Sequence, residues 1–465
     1  MREWIQRIVN RFWKGDGGAK NALNIAIPLI MATSSFTIMQ FVDRKFLLIY
    51  DQNAFAAAVP AGMASFCLIS FFFGTATYIN TFVAQYVGAK KNHMVGKAIW
   101  QAIYFCLMGW MIMLPFWFLA PTIFKMASHA PAVCDLEIKY FRILTIGSGF
   151  VLLNVTLSSF FSGRGKTYTV MWIRIISLVL NVPLDYAMIF GKFGFPQMGI
   201  IGAAWATVIA TGFTTVMFSL MVFSAKNNKI FSTISGWRFD KIIFKRLVNF
   251  GFPNGIQFFI NIFAFSFFLI MVGRLGSNAL AASNAVWSLH LLAYLPMIGF
   301  SITVSTIVGQ EIGRQRIHIA KIAIWNILVM ILLFMGTISS CFVLIPKTAL
   351  WTLFKGAPSS NIADIQNLSI IIMRYMALFL MFDAVNLVFN SVIKAAGDTK
   401  FVMWSSLWIS LGVLIIPSYF FSTISPSQVT TMWAFATAYV ISTTITFVLR
   451  YRSGKWEKMN VIGTS

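Results

Sequence analysis

Twelve apolar stretches, each long enough to cross a lipid bilayer and nearly free of charge, constrain this chain more than any other feature. They fall at residues 24–49, 56–83, 96–119, 138–162, 168–190, 197–223, 247–272, 280–308, 319–345, 367–393, 401–421 and 430–451. A hydrocarbon core of about 30 Å needs roughly 20 residues of helix at about 1.5 Å per residue. Inside that core the backbone must satisfy its own hydrogen bonds, so the spans are predicted as α-helices. Composition agrees. Of 465 residues, 58% are hydrophobic and 11% charged, against about 25% charged in soluble domains. The predicted fold class is an all-α membrane protein with twelve transmembrane helices.

The 36 Lys and Arg outnumber the 13 Asp and Glu, giving a net charge of +23. In a soluble protein that excess would suggest nucleic acid. Here the bases occupy the gaps between apolar runs, so the expected partner is the lipid bilayer and not nucleic acid. Counted loop by loop, 25 Lys and Arg fall on the side that holds both termini and 8 on the other. That bias predicts a multi-pass inner (plasma) membrane protein with both termini cytoplasmic. In residues 1–22, Arg2, Arg7, Arg11, Lys14 and Lys20 interleave with Trp4, Ile5, Ile8 and Phe12. This reads as a basic amphipathic helix on the cytoplasmic face and not as a cleavable signal. Cys67, Cys106 and Cys341 lie in apolar runs and Cys134 in an expected outer loop, so no disulfide framework is predicted.

The chain repeats itself. Shifted by 225, residues 24–100 align without a gap on 249–325, with 15 identities in 77 positions. Asn24 meets Asn249, Pro28 meets Pro253, Gly74 meets Gly299, Gln85 meets Gln310 and Trp100 meets Trp325. At a shift of 232, Arg142 meets Arg374, Asn154 meets Asn386, and Val170-Met171-Trp172 meets Val402-Met403-Trp404. The repeating unit is six helices. Because six is even, both copies enter the membrane from the same side, related by an axis along its normal. The expected organisation is an amphipathic segment 1–22, an N-lobe 23–223, a cytoplasmic linker 224–246, a C-lobe 247–451 and a tail 452–465. Two such lobes suit alternating access, which favours a transporter without identifying a cargo.

Only three acids lie at membrane depth: Asp43, Asp185 and Asp383. Each costs roughly 2.5–3.5 kcal/mol at a helix centre, so such residues mark ion or proton sites unless a neighbouring base neutralises them. Asn181 and Asp185 are four residues apart and share a helical face, with Pro183 between them freeing a backbone carbonyl. Arg44 and Lys45 follow Asp43 and could form a local charge cluster with it. Pro28 and Pro253 open the first helix of each lobe, as hinges or as simple helix starts. Gly165-Lys166-Thr167 lacks the earlier glycine of a phosphate loop, since position 160 is Phe. No nucleophile elbow or Cys/His cluster is present, so the protein is not expected to be an enzyme. His93 and His318 occupy symmetric inner loops, where a structural or lipid-facing role is expected.

At the level of motifs the chain resembles the multidrug and toxic compound extrusion (MATE) transporters, over essentially its full length. The resemblance rests on PLIMATSSFTIMQFVD (28–43), FVAQYVGA (82–89), LNVPLDYAMIFG (180–191) and GIIGAAWAT (199–207). The second half adds NFGFP (249–253), LGSNALAA (275–282), IVGQEIG (307–313) and KAAGDTK (394–400). The resemblance implies a twelve-helix, two-lobe antiporter, expected as a monomer, that exports drugs or organic cations in exchange for H⁺ or Na⁺. It implies no other cofactor. Pro28 then matches the bend-forming proline of helix 1 and Asp43 its essential carboxylate. Asn181, Asp185 and Thr207 match an N-lobe cation site that could hold Na⁺, with Tyr140 matching a nearby tyrosine. Asp383, in MFDAVN (381–386), matches a C-lobe carboxylate of some members. Asn261 stands where some carry a helix-7 glutamate, and joins Asp383 as a C-lobe candidate. A flippase or exporter of a lipid-linked or anionic substrate is the alternative within transport. An intramembrane enzyme is the alternative outside it.

Overall fold

The computed structural model describes residues 13, 15, 17–126, 130–354, 362–424 and 429–463. Among them no strand occurs, and twelve helices are long and apolar enough to cross a membrane. In chain order these are α1 Ala19–Tyr50, α2 Gln52–Gly88, α3 His93–Met113, α4 Pro131–Ser162, α5 Thr167–Phe190, α6 Ile200–Val222, α7 Lys241–Gly273, α8 Ser277–Gly313, α9 Ile317–Leu344, α10 Ile362–Ala396, α11 Thr399–Ser422 and α12 Val429–Arg452. Each of the twelve apolar runs becomes one of them. Residues 1–12, 14 and 16 of the expected amphipathic segment lie outside the described residues.

Local chemistry sets the helix ends. The Asp51 carboxylate accepts the Ala54 N–H at 2.9 Å and caps α2. Pro131 opens α4, where its missing N–H costs nothing. Gly191 closes α5 in the left-handed region at φ 66°. The third apolar run was expected to continue to 119, but α3 stops at Met113 and a short helix, Phe116–Lys125, follows. Pro115 has no N–H to continue the ladder, and the turn tightens to a Trp117 N–H bond on the Leu114 carbonyl. Cys134, expected in an outer loop, lies instead in the first turns of α4.

The sequence repeat is also a structural one. Lys90 and Gln315, 225 residues apart, both turn left-handed at φ 59°. The turns around them make the same bonds: Lys91 N–H to the Tyr86 carbonyl and Arg316 N–H to the Glu311 carbonyl, each 2.9 Å. Gly165 and Gly397, 232 apart, sit at φ 74° and 110° and bond back to Ser162 and Lys394. The central helices also match. In one half α4 packs on α2 and α6, and in the other α10 packs on α8 and α12.

The chain divides into two compact units. One holds Ile27–Ile256 together with Val461–Gly463, and the other holds the residues up to Ala26 with Gln257–Asn460. The division runs inside α1, beside Pro28, and inside α7, beside Pro253. In the first unit Gly251 and Gly255 bring the start of α7 against Thr75 of α2, and the Asn254 amide donates to the Gly74 carbonyl at 2.5 Å. In the second, Ala19, Ala22 and Ala26 are fully buried, and the Asn326 amide of α9 donates to the Gly17 carbonyl at 3.0 Å.

Candidate functional site

Along α1 the residues Ala32, Ser35, Met39, Asp43 and Leu47 form one buried stripe at helical spacing. Asp43 is therefore turned into the first unit, 6% exposed, while Arg44 and Lys45 point away and are exposed. No lysine or arginine forms an ion pair with Asp43 among the described residues. On α5, Asn181 and Asp185 share the inward face as their four-residue spacing requires, and both are fully buried. On α6, Thr207 donates its hydroxyl to Asp43 Oδ2 at 3.3 Å. Gly202 lets α6 lie directly on α5, since a Cβ there would lie 2.6 Å from the Met188 carbonyl. Tyr140 of α4, 9% exposed, lies within electrostatic reach of both carboxylates.

Asp43, Tyr140, Asn181, Asp185 and Thr207 thus come together from four helices of one unit. Asp185 lies beside Asp43 and Asn181. Among the described residues, Asp43 Oδ1, both Asp185 oxygens and both polar atoms of the Asn181 amide have no hydrogen-bond partner. Two carboxyls, an amide oxygen, a hydroxyl and a phenol are hard oxygen donors, the set that suits a proton or a small cation such as Na⁺. Pro28 is buried, fifteen residues before Asp43, and α1 runs through it as continuous helix.

The second unit does not copy this cluster. The 225-residue shift sets Phe268 against Asp43, and Phe268 is fully buried, edge-on to Trp433 at 5.4 Å. Its acid enters elsewhere, at Asp383 of α10, which accepts from the Asn386 amide at 3.3 Å. Tyr294 and Tyr439 lie within electrostatic reach of Asp383. Asn261 is exposed and accepts from the Tyr439 hydroxyl at 3.4 Å. It is linked to that tyrosine and not directly to Asp383.

Further polar groups lie elsewhere in the two units. The Thr214 hydroxyl donates to Ser177 Oγ at 2.8 Å and Ser177 to the Ala210 carbonyl at 3.3 Å. The Asn154 amide donates to the Thr211 carbonyl at 2.9 Å. Ser177, Asn181 and Asp185 recur every fourth residue on α5, which is the signal that would have found this layer. Arg174, seven residues before Asn181, is a half-buried cation with no ion pair among the described residues. In α8, His290 is 3% exposed, lies between Trp287 and Tyr294 at 4.3 and 5.5 Å, and has neither ring nitrogen hydrogen-bonded among the described residues. His93 and His318 are both exposed.

Twelve spanning helices, a six-helix repeat and a buried carboxylate pair in one half define a multi-pass membrane protein of the two-lobe transporter architecture. The chain belongs to the MatE family, whose sequence profile matches residues 28–187 and 253–420. A probable multidrug resistance protein NorM from Listeria monocytogenes is 25% identical over 405 residues, 86% of each chain. Another from Thermotoga maritima is 24% identical over 454 residues, 95% of this chain and 94% of that one. A solved MOP superfamily transporter from Pyrococcus furiosus has the same fold, with a TM-score of 0.84 at 17% identity over 98% of both chains. The all-α, twelve-helix, two-lobe expectation is borne out.

Proposed function

We propose that the protein is a cation-coupled antiporter that exports drug-like or organic-cation cargo by alternating access. The observation that carries this reading is the burial of Asp43 and Asp185 side by side, with no ion pair to a base among the described residues. Two carboxyls held together in apolar surroundings cannot both keep their charge without a proton or a metal cation between them. Asp43, Asn181, Asp185 and Thr207 take up H⁺ or Na⁺ from the outer side, with Tyr140 beside them. Neutralising the cluster removes the repulsion between α1 and α5, and α1 rearranges at Pro28 and expels the cargo. Each elementary charge moved inward across the full membrane gains about 2.3 kcal/mol per 100 mV. The multidrug resistance proteins among its relatives support an efflux role. The termini lie in the cytoplasm, where the lysines and arginines gather.

The test is uptake of a fluorescent organic cation into proteoliposomes under separate Na⁺ and pH gradients. Asp43→Asn and Asp185→Asn should each abolish gradient-driven uptake while the proteins remain folded. Equal transport by wild type and both variants would exclude this site.

A second reading, an exporter of anionic or lipid-linked cargo, is favoured by Arg174, the unpaired cation on the same face of α5 as Asn181 and Asp185. The Pyrococcus furiosus transporter is itself described as having a binding pocket of reversed polarity. Transport of an anionic dye that is lost in Arg174→Gln and kept in Asp43→Asn would select this reading.

A further inference from the structure

Between α6 and α7 the chain crosses the Lys/Arg-rich end of the first unit through a segment that is anything but loose. Side chains of α3 hold its backbone at successive points. Trp100 Nε1 donates to the Thr233 carbonyl at 2.6 Å, and the Tyr104 hydroxyl donates to the Trp237 carbonyl. Gln101 donates to the Arg238 carbonyl and accepts the Asp240 N–H, both at 3.2 Å. Gly96 lets the segment lie directly on α3, since a Cβ there would fall 2.3 Å from the Ser232 carbonyl. From below, the Arg164 guanidinium stacks on Phe231 at 4.1 Å.

With the backbone turned to α3, the side chains turn outward. Ile234, Trp237, Phe239 and Ile242 are 47%, 58%, 58% and 68% exposed. Interleaved with them are the exposed cations Lys226, Lys229, Arg238, Lys241 and Lys245. The one acid in the stretch, Asp240, is spent on the start of α7, where Oδ1 accepts the Ile242 and Ile243 N–H groups at 3.0 and 3.1 Å. The tail after α12 has similar composition and the opposite arrangement: Trp456 is buried at 1% and Glu457 pairs with Lys321 at 2.8 Å.

We propose that the exposed face of residues 226–245 is a binding site for anionic phospholipid, with Arg238, Lys241 and Lys245 on the headgroup phosphates and Trp237, Phe239 and Ile242 in the upper acyl region. Amphipathic surfaces of this composition partition to the interface by both forces together. A soluble anion would use the cations and leave the exposed Trp, Phe and Ile unexplained, so the occupant is a lipid. The inference stands on the geometry of this segment and is independent of the transport reading.

The experiment places the full chain in phosphatidylcholine vesicles containing a minor fraction of phosphatidylglycerol, with the acyl chains of one lipid brominated at a time. Bromine quenches nearby tryptophan, and the Trp237 signal is the difference between wild type and Trp237→Phe. The expected result is stronger quenching of Trp237 by brominated phosphatidylglycerol than by brominated phosphatidylcholine at equal mole fraction. Each surface cation enriches anionic lipid on the order of fivefold. Arg238→Gln/Lys241→Gln/Lys245→Gln should therefore abolish the preference, and Arg238→Lys should retain it. In wild type alone, the preference should shrink as salt is added, a readout that does not depend on how the triple variant folds. Equal quenching by both lipids, a preference indifferent to salt, or one that survives in a well-folded triple variant would overturn the proposal. Erasure by millimolar inorganic phosphate at constant ionic strength would overturn it too, by identifying a soluble anion as the ligand.

Discussion

Replacing Gly255 with alanine should force α7 away from α2. The added Cβ would lie 2.2 Å from Thr75 Oγ1 and 2.5 Å from the Phe71 carbonyl oxygen, where ordinary contact begins near 3.4 Å. The carbonyl belongs to the α2 backbone and cannot rotate aside. The hydroxyl can turn only by giving up its own bond to that carbonyl, at 3.0 Å. The helices must therefore separate by about 1 Å, costing about 1–3 kcal/mol as overpacking. The separation also stretches the bond from Asn254 to Gly74, worth about 1 kcal/mol. Better helix propensity returns about 1 kcal/mol, leaving a net loss of about 1–3 kcal/mol. Thermal unfolding followed by tryptophan fluorescence in one detergent should show a drop of about 1–3 °C, since the unfolding entropy of a chain this long is about 1 kcal/mol per degree. Gly273→Ala is the control, because its Cβ meets only the Leu280 side chain, at 3.6 and 3.9 Å. Thr75→Ala with Gly255→Ala should recover part of the loss, since the Phe71 carbonyl remains. A Gly255→Ala protein as stable as Gly273→Ala would refute the reasoning.

Other substitutions probe other parts of the fold. Gly165→Ala and Gly397→Ala, at the two matched left-handed turns, should each destabilise by about 1 kcal/mol, while Gly62→Ala, with open space around it, should be neutral or stabilising in the same melting assay. Arg450 donates to Asp398 at 2.6 and 2.7 Å near the end of α12. Asp398→Asn and Arg450→Gln should each cost about 2–4 kcal/mol, and a double-mutant cycle by denaturant unfolding should return a coupling of about 1–3 kcal/mol. Burial pushes the Arg164 guanidinium down to about 10 from 12.5. The penalty for holding its charge is complete below that value and is relieved only as the pH rises past it. The difference in melting temperature between wild type and Arg164→Gln should therefore stay flat from pH 5 to 9. A slope within that window would show that another group titrates with it.

The spans were legible because hydrocarbon tolerates so few charges, and the repeat because fifteen identities, paired Pro, Gly, Gln and Trp among them, fall in one ungapped register. Lys90 and Gln315 share a left-handed conformation without sharing identity, so the turn itself outlasted its residues. The acids of the first unit were legible for the same reason as the spans: a carboxylate at that depth is costly enough to stand out. The layer of Ser177, Thr211 and Thr214 was not. Hydroxyls in a helix can satisfy themselves on the carbonyl four residues back, as Thr214 also does on Ala210, so their pattern looks the same facing lipid or facing a neighbour. His290 is not legible either, because a lone histidine in an apolar run has no periodic signature. The unit boundaries inside α1 and α7 were illegible for a different reason. Helix periodicity reports which residues face inward, not which partner they face.

Those boundaries bear on how such a chain could have arisen. The opening turns of α1 are housed with the later half of the chain, and the opening turns of α7 with the earlier half, so each copy lends its first segment to its twin. A six-helix ancestor built this way would pair with a sister molecule by exchanging first segments. Two such copies joined end to end would keep that trade within one polypeptide. Neither half, expressed alone, should hold together as well as the two produced in the same cell.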